Sequence, residues 1–134
     1  MTTTETTSSS IDTFLFSVCG DHDGPQAWAD DAVLDAVVPG WRMAIVGADR
    51  IDQQLRRWFR DPGTLDEVRR TPVPFGEVVE LTVLWVEGGV PHAARQIHVL
   101  ELDAAGRITR DAMWCGGRWP AGLLAEMEAS RDAG

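Results

Sequence analysis

Apolar and polar residues alternate along the stretch from Gly76 to Trp119, which predicts three long β-strands. Two short turn sequences, Gly88-Gly89 and Asp103-Ala104-Ala105-Gly106, separate the strands. Glycine pairs and Asp/Gly clusters are typical of hairpin turns. A two-residue loop at Gly88-Gly89 places Val79 opposite His98. The second half of the chain is therefore predicted to fold as an antiparallel meander.

The length of the second turn decides which residues face each other across the last two strands. A two-residue loop at Ala104-Ala105 places His98 directly opposite Asp111. A three-residue loop with a bulge at Gly106 places His98 opposite Ala112 instead and separates His98 from Asp111. The tighter loop predicts a buried acid-base pair, and the sequence alone leaves both registers open.

Side chains alternate between the two faces of a strand, so the tight register divides the meander into two surfaces. The inner face is mostly apolar and consists of Val79, Leu81, Val83, Trp85, Gln96, His98, Leu100, Asp111, Met113 and Cys115. The outer face is mixed and consists of Glu80, Thr82, Arg95, Ile97, Val99, Glu101, Arg110 and Trp114. The inner face suits a pocket wall, and the outer face suits a homodimer interface better than plain solvent.

Apolar spacing and turn residues predict the remaining elements. They are a helix over 11–19, a short helix over 26–31, a strand over 32–38, a helix that Asp49 caps and that ends before Pro62, a short strand over 67–71 and a closing helix over 120–131. Residues 1–10 form a Thr/Ser run that predicts a disordered tail, followed by a single domain over 11–131 and a short tail over 132–134.

Composition excludes several functions. The net charge is −9 and all twelve basic residues are arginine, so nucleic acid is not expected as a partner. Two cysteines without further ligand spacing predict reduced thiols, no disulfide and no metal site, and we expect no cofactor. The sequence shows neither a secretory signal nor an apolar run of about 18 residues, so we expect a cytoplasmic protein without membrane contact.

Four segments resemble one family of folds: Ala29-Asp30-Asp31-Ala32-Val33-Leu34, Pro39-Gly40, Gly47-Ala48-Asp49-Arg50-Ile51 and the run from Leu100 to Ile108. Together they resemble the nuclear transport factor 2-like superfamily, in its SnoaL-like and ketosteroid-isomerase-like branch. The resemblance implies an α+β fold, a cystatin-like cone in which a curved antiparallel sheet wraps around N-terminal helices. It also implies a conical cavity.

The catalytic positions of ketosteroid isomerases are mostly changed in this chain. The resemblance places Ala36 where those enzymes carry the catalytic Asp, and the neighbouring Asp35 is predicted to point to the opposite face. Thr13 falls at or near the position of the catalytic tyrosine, and the chain has no tyrosine at all. His98 aligns with the protonated Asp of the oxyanion hole. Steroid isomerase activity is therefore not expected.

His98 and Asp111 remain the candidate catalytic pair, because an imidazole beside a carboxylate can move a proton at neutral pH. The leading hypothesis is a cofactor-independent cyclase, isomerase or dehydratase that acts on a polyketide-like or other apolar secondary metabolite. The alternatives are a ligand-binding or sequestering protein without catalysis and a purely structural dimerisation module. A cross-strand hydrogen bond that only satisfies two semi-buried groups would explain the same pair.

The candidate ligand-binding residues are the cavity-facing side chains and two tryptophans near them. They are Trp28, Trp41, Val79, Leu81, Val83, Trp85, Gln96, Leu100, Met113 and Cys115. Trp41 follows the Pro39-Gly40 turn and is the better ligand contact, whereas Trp58 lies on the apolar face of its helix and is predicted to be core. Arg118 can clamp a ligand carboxylate, stack on an indole or form a structural ion pair. His22 is predicted to lie in a solvated turn.

Overall fold

The computed structural model describes residues 2–133 of the chain, with side chains over 10–131. The helices are α1 (Thr2–Val18), α2 (Ala48–Trp58) and α3 (Ala121–Ala133). The strands are β1 (Trp28–Val38), β2 (Trp41–Val46), β3 (Gly63–Val73), β4 (Gly76–Glu87), β5 (Val90–Leu102), β6 (Ile108–Cys115) and β7 (Trp119–Pro120). Within the described residues, none of the helices is both long and apolar enough to span a membrane.

Helix α1 packs the face that its sequence spacing predicted. Ile11, Phe14, Leu15 and Val18 are all buried, because residues three or four apart lie on the same side of a helix. The helix continues back to Thr2, through residues that the sequence assigned to the tail 1–10. The predicted domain limits at 11 and 131 stay predictions, and Gly134 lies outside the described residues.

Strand β1 begins where the sequence predicted a short helix over 26–31, so that helix is wrong. Trp28 pairs with Ile108, and the pairing resumes at Val33 after an irregular stretch in which Asp30 and Asp31 are exposed. Pairing with a neighbouring strand overrides the weak local helix preference of this segment. Strand β2 was not predicted, because it lies at the sheet edge and most of its side chains are exposed.

Helix α2 follows its predicted pattern except at its start. Ile51 and Leu55 are buried, and Arg56 and Arg57 are exposed. Its N-cap is Gly47 without a side-chain cap, so the predicted cap at Asp49 is wrong. Asp49 lies inside the first turn, where a carboxylate interacts favourably with the positive end of the helix dipole.

The strands form one seven-stranded sheet in the order β2-β1-β6-β5-β4-β3, with β7 paired to β5. The β1–β6 pairing is parallel and the other pairings are antiparallel. The sheet is curved and does not close. The core between sheet and helices includes Phe14, Leu34, Ile51, Leu81 and Leu100. This is the predicted α+β cone, with a parallel pairing between its second and third strands that the sequence did not indicate.

The β4–β5 hairpin has the predicted register. Gly88 and Gly89 both have positive φ, at 58° and 78°. Two successive residues with positive φ are typical of a type I′ turn, whose twist matches that of the flanking strands. Val79 therefore pairs with His98, as predicted.

The β5–β6 register differs from both expected registers. His98 pairs with Met113 and Leu100 with Asp111, and a bulge lies between Glu101 and Leu102. This register is shifted by two positions from the register that the tightest turn would give. Because side chains alternate with a period of two, His98 and Asp111 keep the same face and meet diagonally.

Candidate functional site

The concave side of the sheet holds a cavity of about 330 Å³. Its walls come from the ends of α1 and α2, from the β1–β2 turn, from the inner faces of β4, β5 and β6, and from the segment after β6. The lining side chains are mostly apolar: Val18, Val38, Pro39, Met43, Trp58, Phe59, Asp61, Val83, Trp85, Ala94, Gln96, Met113, Cys115, Gly117 and Arg118. A cavity of this size accommodates a small, mainly apolar molecule.

Half of the candidate ligand-binding residues line this cavity. These are Val83, Trp85, Gln96, Met113 and Cys115. They share the inner face of the meander, where the strand pattern placed them.

The other candidate residues lie away from the cavity. Val79, Leu81 and Leu100 are completely buried in the core. Trp28 is also buried, with its ring edge-on to Phe14 at 6.0 Å between centroids. The four side chains point inward as expected, but the core packs against them and leaves no space for a ligand there.

The structure places two tryptophans differently from the sequence assignment. Trp41 is 68% exposed at the start of the edge strand β2 and does not line the cavity. Trp58 is only partly buried and forms part of the cavity wall. The apolar face of α2 covers the core near Ile51 and Leu55, but its last turn reaches past the core to the cavity. Periodicity located the apolar face correctly and could not show where the core ends.

His98 and Asp111 form a hydrogen bond of 2.7 Å between Nδ1 and Oδ2. His98 is 1% exposed and Asp111 is fully buried. The other ring nitrogen of His98, Nε2, lies 2.8 Å from Oε1 of Gln96. Phe14 packs edge-on against the imidazole, with 4.8 Å between ring centroids. The pair therefore lies behind Gln96, and Gln96 separates it from the cavity.

Asp111 has one oxygen that nothing in the described part of the chain satisfies. Oδ1 is buried and has no hydrogen-bond partner there. A buried polar atom without a partner costs about 1–3 kcal/mol. Such atoms are uncommon in native proteins and call for a functional or structural explanation.

A line of hydrogen bonds runs from Gln96 to the cavity mouth. Nε2 of Gln96 donates to Sγ of Cys115 at 3.6 Å, and this thiol donates to the carbonyl oxygen of Gly117 at 3.9 Å. Both Cys115 and Cys19 are free thiols, and burial raises the pKa of Cys19. Asp111, His98, Gln96 and Cys115 thus form one connected polar chain, which we call the inner relay.

At the mouth, Arg118 forms ionic and stacking contacts. Its guanidinium lies 4.6 Å from the ring centroid of Trp85, donates to Glu87 Oε1 at 2.6 Å and donates to the carbonyl oxygen of Trp58 at 3.1 Å. Hydrogen bonds from Trp85 Nε1 and then from Arg118 lower the pKa of Glu87 to about 2. Of the roles considered for Arg118, both the stacking on an indole and the structural ion pair are present, and they hold the segment after β6 against β4 and α2.

Ala36 and Asp35 lie on opposite faces of β1, as strand alternation predicted. Ala36 is fully buried on the inner side, and Asp35 accepts hydrogen bonds from Arg42 and Arg110. The hydrogen bond from Arg42 is the main cause that lowers the pKa of Asp35. Asp35 is therefore held in an ion-pair cluster outside the cavity.

His22 lies in the loop after α1, beside a polar pocket that Thr13 also lines. Its Nε2 donates to the carbonyl oxygen of Phe59 at 2.9 Å, so this histidine ties the loop to the end of α2. Its Nδ1 is buried and unpaired in the described part of the chain. Over residues 2–133, no group of three His, Cys, Asp or Glu side chains is arranged to hold a metal ion.

The sequence matches no protein-family profile and no curated protein. Solved structures do match it. An LEH-like epoxide hydrolase from M. tuberculosis is 24% identical over 97% of this chain and 99% of that chain, with a TM-score of 0.65. The epoxide hydrolase/cyclase-like enzyme SalBIII, described in pyran ring formation in the polyether salinomycin, is 13% identical over 87% and 95%, with a TM-score of 0.63.

An NTF-2 like protein of unknown function from Burkholderia xenovorans LB400 is similar at 15% identity over 87% of this chain and 88% of that chain, with a TM-score of 0.59. At these identities the likeness concerns the fold. The chain therefore has the nuclear transport factor 2-like fold that the sequence resemblance implied.

Proposed function

We propose that the chain binds a small, largely apolar molecule in the cone and that the inner relay contacts the inner end of this molecule. The observation that carries this proposal is the apolar cavity of about 330 Å³, with the amide of Gln96 in its wall. The buried pair of His98 and Asp111 lies directly behind this amide. A purely structural module would not need an open, apolar cavity joined to a buried acid-base pair.

The finer proposal is cofactor-independent acid-base chemistry, as in a cyclase, isomerase or dehydratase acting on a polyketide-like or other apolar metabolite. His98 and Asp111 are the proposed proton carriers. Because Gln96 caps Nε2 of His98, its side chain must turn aside before a ligand can exchange a proton with the imidazole. That cap favours the alternative, a binding or sequestering protein without catalysis, as long as Gln96 keeps its observed position.

A neutral, environment-sensitive naphthalene ketone dye, prodan, tests binding in the cavity. We expect saturable, blue-shifted fluorescence with the wild type and its loss in Ala94→Trp, because the indole would occupy the space beside this buried cavity residue. Ala44→Trp adds the same indole at an exposed position of β2 and should keep the signal. Equal dye binding by both variants would contradict the proposed cavity site.

Turnover separates the catalytic proposal from the binding one. For an identified substrate, His98→Ala and Asp111→Ala should abolish turnover and leave binding nearly intact if the pair is catalytic. Circular dichroism of each variant checks that the fold survives the change. Unchanged turnover in folded variants would leave only the binding function.

We also propose that the outer sheet face forms a homodimer. Trp114 and Ile97 are neighbours across β6 and β5, and they are 48% and 37% exposed. Leu84 of β4 lies on the same outer face and is 36% exposed. Exposed apolar side chains of this extent on one face are typical of an interface. Sedimentation of Trp114→Asp should show a monomer where the wild type is dimeric, and a monomeric wild type would refute the proposal.

A further inference from the structure

We propose that the cavity offers its ligand a hydrogen-bond donor, the amide N–H of Gln96, and therefore selects molecules with an acceptor oxygen at their inner end. Ketones, esters and cyclic ethers belong to this class, and amines do not. The inference rests on the proposed binding function and names the ligand chemistry that the inner relay recognises.

The direction of the inner relay follows from its outer end. The carbonyl oxygen of Gly117 can only accept, so the thiol of Cys115 must donate its hydrogen there. The sulfur then faces Gln96 with a lone pair, which requires the NH₂ group of Gln96 on that side. Oε1 of Gln96 consequently faces His98, and Nε2 of His98 must carry a hydrogen.

The inner end agrees with this direction. With Nε2 protonated, Nδ1 of His98 and Oδ2 of Asp111 lie 2.7 Å apart, a distance at which two lone pairs would repel each other. One proton must therefore lie between them. Whether it belongs to the imidazole or to the carboxyl group, the pair as a whole is neutral, which agrees with its nearly complete burial.

One hydrogen of Gln96 remains for a ligand. Its NH₂ group has two donors, and one of them goes to Cys115. The second has no partner in the described part of the chain, and Gln96 lines the cavity. The lining around it is apolar, including Val83, Ala94 and Met113, so an acceptor oxygen next to Gln96 would find its hydrogen bond there.

Matched probes test this selection. Three compounds share one ring system. 1-Tetralone presents an acceptor oxygen, 1-methylenetetralin presents no polar group, and 1-aminotetralin presents a cationic donor. We expect the affinity ratio of tetralone to methylenetetralin to fall about fivefold in Gln96→Met, which is the effect of one neutral hydrogen bond. Met113→Leu changes the same cavity without a polar group and should keep the wild-type ratio. The amine should bind most weakly to the wild type.

An unchanged ratio in Gln96→Met, or strongest binding of the amine, would overturn the inference while the cavity function stands. If none of the three probes binds, the cavity function fails for ligands of this size. Nitrogen-15 NMR of the His98 ring then decides the inference without any ligand. A protonated Nε2 supports the relay direction, and a bare Nε2 overturns it, because the amide of Gln96 would then turn its oxygen to the cavity.

Discussion

Replacing both members of the buried pair should be less harmful than replacing either one. In His98→Leu, Asp111 keeps a buried carboxyl group with neither oxygen paired, because Oδ1 already lacks a partner within the described residues. Breaking a buried pair in this way costs about 3–5 kcal/mol. In Asp111→Val, only Nδ1 of His98 loses its partner, which costs about 1–3 kcal/mol.

The double variant loses a hydrogen bond from His98 to Gln96, worth about 1 kcal/mol. It also removes the unsatisfied Oδ1 and adds apolar contacts beside Phe14. These effects offset each other, so we expect its free energy of unfolding to lie within about 1 kcal/mol of the wild-type value. The coupling energy between the two positions is then at least about 3 kcal/mol.

Urea unfolding at pH 7, followed by circular dichroism and tryptophan fluorescence, measures all four proteins of this cycle. Recovery of stability in the double variant would show that the pair is not kept for stability, which strengthens its functional assignment. Should the costs of the two single changes instead add to within about 0.5 kcal/mol, the argument from the buried unpaired oxygen is wrong.

Other changes test the ion pair of Glu87 at the cavity mouth and the backbone at two glycines. The pKa of Glu87 is lowered to about 2 from 4.5, so its contribution to stability is present above pH 4.5 and is lost as the pH falls towards 2. The melting temperature of Glu87→Gln should therefore lie below the wild-type value at pH 7 and converge with it through this window; a constant difference would refute this. Gly76→Ala should destabilise the fold by more than about 2 kcal/mol, because its Cβ would overlap the backbone oxygen of Leu100. The added Cβ of Gly122→Ala meets no atom within 4 Å and lies in a helix, so this change should stabilise the fold by about 0.5–1 kcal/mol. Denaturant titrations measure both glycine variants, and equal effects of the two changes would contradict the reasoning.

The sequence determined the face of each residue in the meander more firmly than its partner. The glycine pair after Glu87 defines the β4–β5 register, because only a short turn with positive φ fits there. The turn near Gly106 gave no such restriction, and the bulge after Glu101 displaced the register by two positions. His98 and Asp111 still meet, since a shift of two preserves the face.

Other features depended on contacts between distant parts of the chain. The start of β1 is set by its pairing with β6, and local preference at 26–31 could not show this. The role of Trp58 depended on where the core ends and the cavity begins. Gln96 was expected as a wall residue, but its position in front of His98 follows from side-chain packing that a strand pattern does not contain.

The parallel β1–β6 pairing inside the sheet affects how the chain reaches its fold. Four strands and a helix separate β1 from β6 in sequence, whereas β1–β2 and β3–β5 pair with their neighbours along the chain. Contacts between distant segments close large loops and form slowly. The two halves can therefore fold early as separate hairpins, each with an open strand edge. We expect their joining to limit the folding rate, and a nascent chain on the ribosome to expose both edges until β6 emerges.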